Sequence, residues 1–186
     1  MLVLLATGNA HKVTEVAEIL GPEHIVEAQD TGVAETGATF EENALIKARA
    51  LATARGVLAV ADDSGIEIDH LGGAPGIHSA RWTGDGDWIP RVLRELRGVE
   101  PAQRGCRYVC AAAAVWPDGR EVVLRGEVEG VVVDAPRGEG GFGYDPIVAP
   151  VEGDGRTFGE MTVDEKHAIS HRARAFRALV PLLTSP

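Results

Sequence analysis

An α/β fold with a mixed sheet is predicted by three observations. Short apolar runs alternate with amphipathic helical segments through the first half of the chain; two long apolar segments in the second half are separated only by Pro117-Asp118-Gly119; and no repeat, linker or low-complexity tract interrupts the 186 residues. A chain of that length can bury a sizeable core, either as one domain over residues 1–186 or as two closely packed lobes. Its net charge of −10 and isoelectric point near 5.0 exclude the broad basic surface that nonspecific nucleic-acid binding needs, though a local phosphate site requires only a few cations.

In order along the chain, residues 2–6 read as a buried strand. Thr7-Gly8-Asn9 then turns into a helix with Val13, Val16, Ala17 and Leu20 on its apolar face and Gly21-Pro22 as its stop. A short strand over 24–28 and a loop over 30–38, which carries Glu35, follow. A capping box from Thr39 to Glu42 opens the next helix, which passes Asn43, Lys47 and Leu51 before Gly56 ends it. Residues 57–61 read as a buried strand that ends at Asp62-Asp63 in a tight Ser64-Gly65 turn, with a further short strand at 66–68. After the glycine-rich loop LGGAPGIHSAR a helix spans 87–96, with Gly98 just past its end. Residues 104–116 and 120–133 form a long hairpin. GEGGFGYDP is a loop too flexible to stand unless packed or liganded, and a second capping box, Thr162 to Glu165, opens a last helical region ending near Leu183.

Candidate chemistry gathers at three places. The strand, Gly-containing turn and helix start over residues 2–12 give a phosphate-binding geometry, because free backbone N–H groups and the helix dipole share one direction. Asp62 and Asp63 repel one another unless compensated, and a divalent cation with phosphate oxygens is a usual compensation; a solvated turn is the plainer reading of the same residues. Lysine occurs only at Lys12, Lys47 and Lys166, against 15 arginines, which suggests that a compact, flexible point charge is wanted at those places. Taken together, a carboxylate pair, lysines and an aromatic loop describe a site for a nucleoside polyphosphate with Mg²⁺. Cys106 and Cys110, ~13 Å apart along one strand, are beyond the about 7 Å that a disulfide spans, and read as buried thiols. The apolar start MLVLLA is too short for a signal peptide or membrane span, so a cytoplasmic location is expected.

The chain resembles the inosine triphosphate pyrophosphatase family. The resemblance rests on Thr7-Gly8-Asn9 with Lys12; Thr39-Phe40 with Glu42-Asn43 and Lys47; Ala61-Asp62-Asp63-Ser64-Gly65; Gly73-Ala74-Pro75-Gly76 with Ser79-Ala80-Arg81; Gly140-Gly141-Phe142-Gly143-Tyr144-Asp145-Pro146; and Ser170-His171-Arg172. These six blocks run in family order from residue 7 to residue 172. The resemblance implies an elongated two-lobed α/β fold on a mixed sheet, with helices packed around it and the active cleft between the lobes, usually paired as a homodimer. It also implies hydrolysis of noncanonical purine triphosphates such as ITP, dITP and XTP to the monophosphate and pyrophosphate, with Mg²⁺.

Carried over by position, Asp63 is the general base and a metal ligand, and Glu35 the second metal carboxylate. Lys12 and Lys47 grip the phosphates as catalytic cations, and Thr7, Gly8, Asn9, Ala10, His11 and Lys12 supply backbone donors, with Ser64 reaching the substrate. Asp62 supports Asp63 or caps the turn. Phe142 and Tyr144, with Gly143 between them, frame the purine, while Asp145, Lys166, His171 and Arg172 read its edge, where a 6-oxo group accepts a hydrogen bond that adenine would donate.

His167 and His171 have the i,i+4 spacing of a metal pair on one helix, but no third ligand is evident nearby and His171 is preferred as a base reader. Trp82, Trp88 and Trp116 are assigned to packing, and Arg174 and Arg177 to a solvated helix face. Two departures from the family stand out: His11, where a small residue is usual, narrows the phosphate turn, and the segment 82–87 is short and lacks a familiar Asn. Two other readings stay open: a nucleotide-binding module without turnover, and a phosphatase with an aspartyl-phosphate intermediate. The second needs aspartates two apart at a strand end, where this chain has them adjacent.

Overall fold

The apolar runs at the start of the chain become parallel neighbours in one sheet. In the computed structural model, which describes residues 2–83 and 88–183, six strands form that sheet: β1 (Leu2–Leu5), β2 (Ile25–Ala28), β3 (Ala59–Ile68), β4 (Gly105–Val115), β5 (Glu121–Val132) and β6 (Val148–Pro150). Their order is β2-β1-β3-β4-β5-β6. β1 pairs in parallel with β2 and β3, whereas β5 and β6 are antiparallel, so the sheet is mixed as predicted. The hairpin turn closes where expected: Gly119 takes φ +88° and its N–H reaches the Trp116 carbonyl at 3.0 Å. β6 has no counterpart among the predicted elements, because three residues are too few to show a period.

The helices are α1 (Ala10–Leu20), α2 (Phe40–Arg55), α3 (Trp88–Glu95), α4 (Val163–Ile169) and α5 (His171–Leu183). Asn9 starts α1 by accepting the N–H groups of His11 and Lys12 at 3.0 and 3.4 Å. Thr39 starts α2 by accepting the Glu42 N–H at 3.1 Å, and the Glu42 carboxylate returns to the Ala38 N–H at 2.6 Å, one residue before the position a capping box uses. Gly56, in the left-handed region at φ +64°, ends that helix. The box at Thr162 closes in both directions.

Two predicted breaks differ from the structure. The strand expected to end at Asp62-Asp63 continues to Ile68, so the two aspartates lie inside β3 and not in a turn. β3 lies inside the sheet between β1 and β4, and that place overrides the turn preference of Asp, Ser and Gly. Conversely, the last helical region is two helices: Ser170 is extended at φ −65°, ψ 150°, so His167 and His171 share no helix face and the i,i+4 metal geometry does not exist. Residues 84–87, which include the expected first residue of α3 and most of the short segment after Arg81, lie outside the described residues.

The chain divides into two compact units, each with its own core. The first comprises residues 1–64, 110–126 and 171–186. In its core, Val3, Leu5, Val60, Cys110, Ala112 and Ala114 from alternate positions of β1, β3 and β4 meet Val16 and Leu20 of α1 and Phe176, Leu179 and Leu183 of α5. The second unit comprises residues 65–109 and 127–170, and centres on Ile66, Ile68, Tyr108, Val128 and Val132 with Val92 and Leu96 of α3, Tyr144 and Phe158. The tryptophans pack as expected: Trp82 and Trp88 against the second core, Trp116 against the first.

Close approach rather than conformation requires the glycine at Gly126 of β5. A Cβ there would fall on the His171 carbonyl oxygen and 2.6 Å from the Ala175 nitrogen, both backbone atoms of α5. Gly126→Ala should therefore push the start of α5 off the sheet and cost roughly 1–3 kcal/mol, read as a lower denaturant midpoint. An unchanged midpoint would show that α5 is not seated on this glycine.

Candidate active site

The predicted site residues divide between the two units. In the first unit the organising fact is the pleat of β3, which sends successive side chains to opposite faces. Val60 belongs to the core beneath α1 and α5, so Asp62, two residues on, lies on that same face. Its Oδ2 receives Lys12 Nζ of α1 at 3.0 Å and Arg172 Nη2 of α5 at 3.4 Å, with the Cys110 thiol 3.9 Å away. Arg172, fully buried, also donates to Ser64 Oγ at 2.8 Å and pairs with Glu15 of α1. Two acids and two bases balance one another here. Burial alone would raise the Asp62 pKa, but Lys12, Arg172 and Lys47 outweigh it and hold this carboxyl far below the usual range.

Asp63 faces the other way, toward α2. Asn43 Nδ2 donates to its Oδ2 at 3.1 Å and Lys47 Nζ stands 3.5 Å from its Oδ1. The same ammonium bonds Glu35 Oε1 at 3.0 Å. Asn43 is completely buried, and its Oδ1 accepts the Gly37 N–H at 2.9 Å, tying the loop that carries Glu35 to the helix that holds Asp63. Two carboxylates thus share one ammonium, leaving one negative charge in excess. Burial pushes the Asp63 pKa up, Lys47 and Lys12 pull against it, Glu35 adds to it, and the net direction is upward. For Lys47, burial on its own would lower the pKa, but Asp63, Asp62 and Glu35 turn the shift upward and keep it charged.

At the start of α1, the N–H groups of His11 and Lys12 are taken by Asn9, and the Asn9 N–H by Thr7 Oγ1 at 3.1 Å. Among the described residues Gly8 and Ala10 keep N–H groups without a hydrogen-bond partner at the exposed helix start, a narrower donor set than residues 7–12 together. The His11 side chain is exposed on the first turn.

In the second unit Asp145 is the hub. Its Oδ2 accepts the Phe142 N–H at 2.8 Å and Lys166 Nζ at 2.7 Å, and its Oδ1 accepts the Tyr108 hydroxyl at 3.1 Å. Lys166 Nζ also lies 5.0 Å from the centroid of the Phe142 ring. Phe142 and Gly143 are half-buried. Tyr144, expected to frame a purine, is buried: its ring stacks on Trp88 with centroids 5.8 Å apart and its hydroxyl donates to the Ser79 carbonyl at 2.9 Å, which makes it an anchor for the LGGAPGIHSAR loop. His171 and Arg172 belong to the first unit, His171 as the buried first residue of α5, and Arg172 donates to Asp62, Glu15 and Ser64.

Sequence reading left out Glu15 and Tyr108, and gave Asp62 only a supporting or turn-capping role. Asp62 is the centre of one cluster, and no local pattern shows that two adjacent acids take different faces until β3 is known to be continuous. Glu15 is a charge buried in α1 beside Val16, three residues after Lys12, a pattern that could have flagged it. Tyr108 carries no motif. The donor set fits a hard divalent cation in type: Glu35 and Asp63 offer only carboxylate oxygens and carry an excess negative charge.

The Ham1 family sequence model matches residues 3–182. A dITP/XTP pyrophosphatase of Streptomyces coelicolor is 50% identical, covering 97% of this chain and 96% of that protein, and one of Bacillus subtilis is 46% identical with the same coverage. A Ham1 protein structure from Staphylococcus aureus superposes with a TM-score of 0.86 at 35% identity over 98% of each chain, and one from Coxiella burnetii with 0.85 at 36% identity over 99% of this chain and 98% of that one.

Asp62→Asn should leave Lys12 and Arg172 undercompensated in the interior, at a cost of roughly 3–5 kcal/mol at neutral pH. Because folding lowers the Asp62 pKa, its contribution is complete above the unfolded value and is lost as pH falls through the folded one. The difference between wild type and variant in denaturant titrations should therefore shrink below about pH 4; a pH-independent difference would contradict the assigned ion cluster.

Proposed function

The chain belongs to the Ham1 family, and from that membership we propose that it is a hydrolase that cleaves noncanonical purine nucleoside triphosphates, dITP, XTP and ITP, to the monophosphate and pyrophosphate. The observation that carries the reading is the pairing of Asp63 and Glu35 through Lys47, one negative charge in excess, next in sequence to an Asp62 whose charge is already balanced. Asp63 acts as general base: burial raises its pKa, which improves proton acceptance from water. Asn43 holds one carboxylate oxygen still, so the other is the one aimed at the water.

Lys12 and Lys47 exchange their carboxylate partners in part for phosphate oxygens, and Gly8 and Ala10 add N–H donors at the start of α1. Lysine suits this exchange because its ammonium has three donors and a flexible stem. A metal cofactor is expected for such a pyrophosphatase, and we propose Mg²⁺ with Glu35 and Asp63 as its protein ligands; when bound it neutralises triphosphate charge and polarises the phosphoryl group. Arg172 is a positioning residue that fixes Asp62 and Ser64.

For the base, Phe142 offers the aromatic face and Lys166 the donor that a 6-oxo purine accepts and a 6-amino purine does not, with Asp145 orienting it. No helix among the described residues is long and apolar enough to cross a membrane. A cytoplasmic homodimer that binds no nucleic acid completes the proposal; the charge of −10 supports the last point, and sedimentation equilibrium giving a monomer mass would overturn the dimer.

Incubation with ITP, XTP, ATP and GTP in the presence of Mg²⁺ should yield IMP and pyrophosphate from ITP, with XTP also cleaved and ATP poor. Formation of IDP and orthophosphate would refute the reading. Asp63→Asn should lower kcat by about 10²–10⁴-fold with KM little changed.

A further inference from the structure

Asp145 is 2% exposed and accepts three hydrogen bonds, two on Oδ2 and one on Oδ1. The donor to Oδ1 is the Tyr108 hydroxyl. A carboxyl group turns readily about its last torsion, so what fixes one oxygen also aims the other. Lys166 has the opposite property: four rotatable carbons leave its head group wherever its partner holds it. The placement of the ammonium therefore passes back through Asp145 to Tyr108. Tyr108 is itself held rigidly, on β4, in the core of the second unit, with its ring tilted 58° against Phe158 at a centroid distance of 5.7 Å. Burial first, and then the Asp145 charge, push the Tyr108 pKa well above its ordinary value, so the hydroxyl stays a donor. Gly141 completes the arrangement: at φ +68°, its missing Cβ leaves room where one would fall on Asp145 Oδ2.

Building on the reading that Phe142 and Lys166 face the purine, we infer that Tyr108 is a positioning residue for base selection: its hydroxyl fixes Asp145, and through Asp145 the ammonium of Lys166 that donates to a 6-oxo purine and not to a 6-amino one. The ring of Tyr108 fills the core; the oxygen serves the substrate. Loss of that oxygen leaves Asp145 Oδ1 buried without its donor, frees the carboxyl to turn, and loosens Lys166 over Phe142. Because the phosphate chemistry is assigned to Asp63, Lys12 and Lys47, the effect falls on substrate binding and discrimination and not on the chemical step.

The test is Tyr108→Phe, which keeps the ring and removes one oxygen, assayed with ITP and ATP beside Lys166→Gln, with thermal unfolding of each variant. For Tyr108→Phe, kcat/KM for ITP should fall about tenfold, nearly all of it in KM, with kcat within about twofold and the ITP-to-ATP preference reduced by a similar factor, as for one lost hydrogen bond to a charged group. Unchanged KM and preference, whatever happens to thermal stability, would overturn the inference and leave the hydroxyl a structural feature only. If Lys166→Gln abolishes the preference while Tyr108→Phe does not, the inference fails alone; if neither variant alters it, the assignment of this cluster to the purine fails as well.

Discussion

Two neighbouring carboxylates can both stay ionised in a protein interior only if each has its own compensation, and the pleat of β3 arranges this. Asp62 and Asp63 are adjacent in sequence but meet different helices: Lys12 of α1 and Arg172 of α5 for the first, Asn43 and Lys47 of α2 for the second. The two environments push their pKa values in opposite directions. One aspartate is a fixed structural anion, and the other shares a single ammonium with Glu35 and so carries charge in excess. An aspartyl-phosphate mechanism fits this poorly, because the second acid points away from the first.

The rest of the unit serves that division. Small residues, Ala111 to Ala114 of β4 among them, let helices approach both faces of the sheet closely enough for short side chains to reach the aspartates. Every lysine in the chain is paired with a buried or half-buried carboxylate, Lys12 with Asp62, Lys47 with Glu35 and Asp63, and Lys166 with Asp145. Apart from the buried Arg172, arginine takes surface work, as in the exposed Arg49 to Glu121 pair, where an ion pair contributes little to stability. A lysine ammonium parked on a carboxylate avoids an uncompensated interior charge, and its flexible stem is what the proposed move onto a phosphate oxygen calls for.

Much of this was legible in the sequence. Helix boundaries at Asn9, Thr39, Gly56 and Thr162 followed from capping chemistry, and the hairpin from Pro117-Asp118-Gly119, because these signals are local. The mixed α/β class followed from the order of elements. The failures share a cause: whether Asp62-Asp63-Ser64-Gly65 turns or extends depends on the sheet around it, whose other strands are distant in sequence, and whether residues 163–183 form one helix or two depends on packing that local propensity does not encode. The candidate site residues were named by type and position, while their partnerships were not. Arg172 with Glu15 joins residues 157 apart, and Tyr108 with Asp145 joins a strand to a loop, contacts that no periodicity announces.

Carboxyl-carbon NMR titration with ¹³C-labelled aspartate tests the central claim most directly. The account predicts that Asp63 protonates above the ordinary aspartate value while Asp62 stays ionised well below it, as two separate events. If Asp62 took up its proton first, or the two titrated together as a pair sharing one proton, the division of the aspartates between the two faces of β3 would be contradicted.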